Sequence, residues 1–227
     1  MGAAEISTFL KTWEDQCNEK GDPDVAEGQK AYMRSQFDFY GLKSPVRREI
    51  QITMFQKHLL PPRDDIPTVV TELWNKPERE NQYMAQELAK KCLKPFEIED
   101  YALFEYMITN KSWWDTVDFI AANLVGPYFK SFTEQRERIT GKWLSTDNKW
   151  LQRTVLLFQL KYKDDLDTDF LADTIHSLTG SEDFFINKAI GWILREYSKT
   201  NPQWVRQFAK ATTLHPLSKR EGLRLIT

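Results

Sequence analysis

The chain has 227 residues, 41% of them hydrophobic and 28% charged, which is enough to bury a substantial core in one compact domain or one elongated array. Its net charge is −2 and its pI about 6.0, which excludes a uniformly basic nucleic-acid binder. No stretch approaches the roughly 20 consecutive apolar residues of a membrane helix, so no membrane partner is expected.

The first residues, M-G-A-A-E-I-S-T-F-L, lack a basic region followed by an apolar run and do not read as a signal peptide. Cys17 and Cys92 form no metal-spaced pair and read as reduced thiols of an intracellular protein. His58, His176 and His215 lie far apart, so no metal site is expected. Apolar residues recur at helical spacing nearly everywhere, punctuated by Pro, Gly, Asn and Asp. No Val/Ile/Thr run alternates cleanly enough for a strand, and the chain reads as all-α.

Charge is segregated along the chain. Acid collects in D-P-D-V-A-E (22–27), E-I-E-D (97–100) and K-D-D-L-D-T-D-F-L-A-D (163–173). Base collects in L-K-S-P-V-R-R (42–48), D-N-K-W-L-Q-R (147–153), I-N-K-A-I-G-W-I-L-R (186–195) and S-K-R-E-G-L-R (218–224). Such a pattern can place one positive face on an acidic body.

The helices carry an internal period. W-L-Q-R-T-V-L-L, from Trp150, aligns with F-I-N-K-A-I-G-W, from Phe185, at an offset of 35. The same step links Arg48, Tyr83, Asp118, Arg153 and Lys188, none of them aliphatic, each within an apolar-periodic stretch. A period of this size suits paired helices stacked as a right-handed solenoid of about six HEAT-like repeats. In such a stack these five residues would form a row across the concave surface. The bland alternative is a set of ordinary solvated helix faces.

The segment N-K-S-W-W-D-T-V-D (110–118) sets two tryptophans beside two aspartates. Ser112 and Asp115 match a capping-box pattern, which assigns Asp115 to the helix start. Advancing 100° per residue puts Trp113 with Val117, Ile120 and Leu124 in the core. Trp114 then points outward, with Asp118 one turn below it and the small Ala121 and Ala122 beneath. An indole beside a carboxylate is a cradle for a cation. Farther on, Lys188, Trp192, Arg195 and Lys199 make a basic stripe interrupted by one indole, and Lys149 pairs with Arg153 at i, i+4. The surface suits an anionic polymer that carries a cationic centre.

K-S-W-W-D-x-V-D, D-N-x-W-L-Q-R, F-F-I-x-K-A-I-G-W-x-L-R-E-Y-x-K-T-N-P and L-x-P-L-S-K-R-E together resemble the AlkD family of bacterial DNA alkylation-repair glycosylases. The segments Y-M-R-S-Q-F-x-F-Y-G-L-K-S-P-x-R-R and E-L-W-N-K-P-E-R-E fit as well, so the resemblance runs from about Tyr32 to Arg224. It implies a single domain over 1–227, a C-shaped stack of HEAT-like repeats gripping duplex DNA in its concave groove. It implies hydrolysis of the N-glycosidic bond of N3- and N7-alkylated purines, starting base excision repair, with no metal, no cofactor and no base flipping. The family's catalytic positions match Trp114 and Asp118, with Arg153 and Trp192 matching its further motif residues.

On this reading Asp118 stabilises an oxocarbenium-like sugar and positions water, while Trp114 and Trp192 pack against the lesion. Arg153, Lys188 and Arg48 hold phosphates, and Tyr32, Tyr83, Lys149 and Arg195 share the DNA-binding surface. A monomer in the bacterial cytoplasm, on the nucleoid, is expected. The acidic net charge departs from the usual pattern of DNA binders, and the chain stops at E-G-L-R-L-I-T, close to where a final helix should be completing. The rivals are a HEAT-like reader of DNA structure that cuts no bond and a protein–protein scaffold. The latter predicts an apolar or mixed row where this chain has cations.

Overall fold

The computed structural model describes residues 2–56 and 58–226. Among them the chain is helical, and the only β pairing is an isolated bridge between Asp38 and Glu78. None of these helices is long and apolar enough to cross a membrane. Backbone packing divides the chain into two compact units, Met1–Glu97 and Ile98–Thr227.

Unit 1 contains α1 (Ala3–Lys20), α2 (Pro23–Tyr32), α3 (Ser44–Met54), α4 (Ile66–Asn75) and α5 (Arg79–Cys92), with a short 3₁₀ turn at Arg63–Asp65. Local chemistry sets several boundaries. Asp22 accepts from the N–H groups of Asp24 and Val25, and Pro23 supplies a helical φ in the first turn of α2. Ile66, Val69, Val70, Leu73 and Trp74 of α4 fall at i, i+3, i+4, i+7 and i+8, and all are buried. α4 therefore runs through the unit's core, packed on α5 and α1.

The loop leading into α3 is held by one buried carboxylate. Glu80 of α5 accepts from the backbone N–H groups of Tyr40, Gly41 and Leu42 at 3.1, 3.1 and 3.0 Å. Burial pushes its carboxyl up and the three donors oppose that. Gly41 sits at φ +88 against the Asp22 carbonyl, where a side chain has no room. Together they fix where α3, and hence Arg48, begins.

Unit 2 contains α6 (Asp100–Thr109), α7 (Trp114–Ile120), α8 (Gly126–Ser131), α9 (Arg136–Leu144), α10 (Lys149–Leu157), α11 (Thr168–Ser177), α12 (Phe184–Tyr197), α13 (Pro202–Ala211) and α14 (Pro216–Gly222). A π-turn, Ala121–Val125, joins α7 to α8, with Pro127 just beyond it. Proline offers no N–H to the turn before it, a recognised cause of such irregularity. Asn148, Asp167, Asp183 and Asn201 cap α10, α11, α12 and α13 with side-chain oxygens. The core joins Leu156 and Leu157 of α10 to Leu171 and Ile175 of α11, Ile186, Ile190, Ile193 and Leu194 of α12, and Val205 of α13.

The 35-residue period has a direct counterpart in the helices. α3, α5, α7, α10 and α12 begin at residues 44, 79, 114, 149 and 184, so each start follows the last by 35. Arg48, Tyr83, Asp118, Arg153 and Lys188 are each the fifth residue of their helix. The phase read from sequence is thus a phase of helix starts.

The expected capping box at Ser112 does not form. The Ser112 hydroxyl instead donates backward to the Ile108 carbonyl at 2.6 Å, satisfying the end of α6, and α7 opens with Trp113 as N-cap and no side-chain cap. Asp115 still lies in the first turn of α7, where a carboxylate complements the helix dipole. Val117, Ile120 and Leu124 are fully buried, but Trp113 is only half-buried at their edge.

Candidate functional site

Three consecutive helices of the 35-residue series, α7, α10 and α12, pack side by side in unit 2. Their N-terminal ends share an aromatic cluster. The Trp113 ring lies 5.7 Å from Trp150 and 5.2 Å from Phe185, and Trp150 lies 4.9 Å from Phe185. This cluster fixes the relative depth of the three helices, so the fifth residues of α7 and α10 meet.

Asp118 and Arg153 form a bidentate pair. Arg153 donates from Nε to Asp118 Oδ1 at 2.7 Å and from Nη2 to Oδ2 at 2.8 Å. Its remaining terminal nitrogen, Nη1, donates to the Phe185 carbonyl of α12 at 2.5 Å. Arg153 is 5% exposed and the Asp118 side chain 11%. Burial pushes the Asp118 carboxyl up from its ordinary value, and the Arg153 guanidinium opposes the rise. A carboxylate held by two parallel donors has a fixed orientation, and its exposed edge is narrow.

This arrangement corrects two expectations. Asp118 does not project freely into solvent; it is largely buried, with Ala121 and Ala122 buried beside it. Arg153 does not reach out for phosphate. Its three guanidinium nitrogens serve Asp118 and the Phe185 carbonyl. Trp114, one turn before Asp118 on α7, is half-buried, as is Trp192, which packs its inner side on the α10–α12 core.

The cations expected to bind DNA are present in unit 2, but each holds a carboxylate. Lys149 lies 3.2 Å from Asp183, with its ammonium 5.5 Å from the Trp150 ring and 5.2 Å from the Phe185 ring. Lys188 lies 3.0 Å from one oxygen of Glu221 and Arg195 2.8 Å from the other. Lys199, at the end of the stripe, pairs with Glu196 at 2.6 Å. Lys188 and Arg195 hold the Glu221 carboxyl below its ordinary value, with the Lys188 contact contributing most. Sequence reasoning missed Glu221, because nothing in S-K-R-E-G tells which face of α14 meets α12.

The remaining expected residues lie in unit 1. Tyr32 ends α2 and is 70% exposed, and Arg48 is exposed on α3. Tyr83 is half-buried on α5. Its ring is covered by Arg47, whose guanidinium carbon lies 4.4 Å from the centroid and whose Nε is buried without an acceptor. The phase picked Arg48, and the neighbour that touches Tyr83 is Arg47. Among the described residues, no group of three His, Cys, Asp or Glu side chains could hold a metal ion.

A fixed, partly desolvated carboxylate beside an indole can stabilise a cation that develops next to it. The cations around it can neutralise a polyanion only by sharing or displacing their present partners.

Comparison with known proteins bears on this geometry. Residues 14–226 match the model of a family described as DNA alkylation repair enzyme. No curated protein matches the chain. Among solved structures, the chain is similar to a predicted DNA alkylation repair enzyme from Enterococcus faecalis, at 33% identity and a TM-score of 0.85, covering 92% of this chain and 97% of that one.

Proposed function

The chain belongs to the DNA alkylation repair enzyme family, and we propose that within it the protein is a monofunctional glycosylase of the AlkD type. Its substrate would be duplex DNA carrying an N3- or N7-alkylated purine. The observation that carries this reading is the Asp118 carboxylate, oriented by Arg153 at both oxygens, one helical turn from the Trp114 indole.

Alkylation at N3 or N7 leaves the base positively charged. When the bond from C1′ to N9 breaks, its electron pair goes to the base, which departs neutral, and the positive charge passes to the sugar. Asp118 stabilises that charge at its exposed edge. It also orients the water that adds to C1′, whose proton then leaves to solvent or to the carboxylate. Trp114 and Trp192 flank the deoxyribose. Because the leaving base is already activated, no residue must protonate it, and the base need not be turned into a pocket.

Lys149, Lys188 and Arg195 in unit 2, and Arg48, Tyr32 and Tyr83 in unit 1, are proposed as contacts to the DNA backbone. The regular 35-residue spacing of helix starts supports a repeat of HEAT-like pairs, which we propose stack as a right-handed solenoid acting as one functional domain, and the family match runs through both units. The reading includes a monomer, working in the bacterial cytoplasm at the first step of base excision repair.

The test is single-turnover release of 7-methylguanine from a labelled duplex by wild type and Asp118→Asn. Release by wild type, with the variant at least about tenfold slower at undiminished duplex binding, is the expected result. Duplex binding with no release above the spontaneous rate would overturn the enzymatic reading. The protein would then be a reader of DNA structure.

A further inference from the structure

The three cations proposed as DNA contacts in unit 2 hold two carboxylates between them: Lys149 holds Asp183, and Lys188 and Arg195 share Glu221. Affinity for duplex DNA comes largely from basic side chains shedding counterions onto phosphate. A cation already neutralised by a fixed carboxylate has no counterion to shed. Phosphate must either displace that carboxylate or bind beside it against repulsion.

Glu221 is the strongest of these competitors. Both of its oxygens are engaged, at 3.0 Å by Lys188 and 2.8 Å by Arg195, and its side chain is 13% exposed. It does not dock α14 alone. Ser218 Oγ, fully buried, donates at the Asn187 carbonyl, 2.9 Å away, with Asn187 Oδ1 at 3.1 Å. The backbones of α12 and α14 also approach closely at Gly191 and Gly222. Asp183 is less specialised, because its other oxygen caps α12 through the N–H groups of Phe185 and Ile186.

Resting on the proposed function, we infer that Glu221, and secondarily Asp183, are affinity-limiting residues that compete with DNA phosphates for Lys188, Arg195 and Lys149. They lower affinity for any duplex backbone. The share of binding carried by the cationic lesion at Asp118 rises in proportion, so undamaged DNA sequesters less of the enzyme. The net charge of −2 fits a protein that limits, rather than maximises, its attraction to polyanions.

The test is binding of a lesion-free duplex by wild type, Glu221→Gln and Asp183→Asn across a salt series, read by fluorescence anisotropy. Glutamine keeps the shape of Glu221 and asparagine keeps a helix cap at 183. Circular dichroism checks that each variant is folded. The expected result is affinity tighter by about threefold to tenfold for Glu221→Gln at moderate salt, and a log–log salt slope steeper by about one to two. Asp183→Asn should move in the same direction by less. Unchanged affinity and slope would overturn the inference, and weaker binding would show instead that Glu221 aims the two cations at phosphate.

If wild type releases 7-methylguanine while these variants leave affinity and slope unmoved, only this inference fails. If wild type and variants bind no duplex and release no base, the proposed function fails and takes the inference with it.

Discussion

Arg153 and Asp118, 35 residues apart and each the fifth residue of its helix, meet as a bidentate ion pair with contacts of 2.7 and 2.8 Å. The pair is largely buried, so its two halves depend on each other. An unpaired charge at this depth costs about 3–5 kcal/mol, and a misaligned one loses its directional value. The fork of the guanidinium fixes which edge of the carboxylate faces out.

Arg153→Lys should therefore damage chemistry more than binding. Lysine keeps the charge but cannot serve both Asp118 oxygens and the Phe185 carbonyl in a planar fork. Single-turnover base release should fall by about 10²-fold, while duplex affinity stays within about threefold and the salt slope is unchanged. A loss of affinity matching the loss of rate, with the slope reduced by about one, would mean that Arg153 contacts phosphate after all.

The rate should also carry the signature of a raised carboxyl. Burial pushes Asp118 above its ordinary 3.8, with Arg153 opposing. In the proposed mechanism the carboxylate is the active form, so release should fall as pH drops through a value above 3.8, and this acid limb should be absent from the residual rate of Asp118→Asn. The linkage to stability has the opposite sense. The folded state binds this proton more tightly than the unfolded state, so the stability contributed by Asp118 decreases as pH rises from 3.8 through the raised value. Base release at fixed temperature and thermal melting over the same pH range would separate the two trends.

The repeat was legible because helix starts are punctuated by residues with a mechanical reason to be there. Pro45 after Ser44 opens α3, and Asn148 and Asp183 cap α10 and α12 in the same register. Phase also placed Asp118 and Arg153 on neighbouring helices. It could not report their depth, because depth depends on the Trp113, Trp150 and Phe185 cluster that draws three helix ends together. The capping-box reading failed for a local reason. Ser112 stands in a short connection where one hydroxyl can close the helix behind it or open the one ahead, and here it bonds back to Ile108. Arg47 and Arg48 differ by one residue, or about 100° of helix, and phase alone favoured the exposed one.

Glu221 gives a second pH-dependent expectation, of opposite sign to that of Asp118. The hydrogen bond from Lys188, with added attraction from Lys188, Arg195 and Arg224, lowers its carboxyl below the ordinary 4.5. A depressed carboxyl contributes stability above its unfolded value, and that contribution is lost as pH falls from 4.5 through the folded value. Hydrogen-exchange protection of the α14 amides, corrected for intrinsic rate, should drop over that window in wild type and stay flat in Glu221→Gln. Equal losses in both proteins would place the acid sensitivity elsewhere.

The glycine of A-I-G-W makes the α12–α14 contact possible, and replacing it should be costly despite the helix. A Cβ at Gly191 would meet Glu221 Cβ at 2.6 Å and the Ser218 carbonyl oxygen at 3.1 Å. Alanine would otherwise favour a helix interior by about 0.5–1 kcal/mol over glycine. Overpacking typically costs about 1–3 kcal/mol, and the two helices here approach too closely for a rotamer change to relieve it. Gly191→Ala should thus lower the Tm by about 2–8 °C. It should also loosen the grip of Lys188 and Arg195 on Glu221, since α14 must back away. The double variant Gly191→Ala with Glu221→Gln tests the link between the two. If strain at Gly191 acts partly by spreading the ion pairs, the two substitutions destabilise by less than the sum of the single effects. A higher Tm for Gly191→Ala would mean that α14 yields freely and that the close approach at Gly191 is not what holds it.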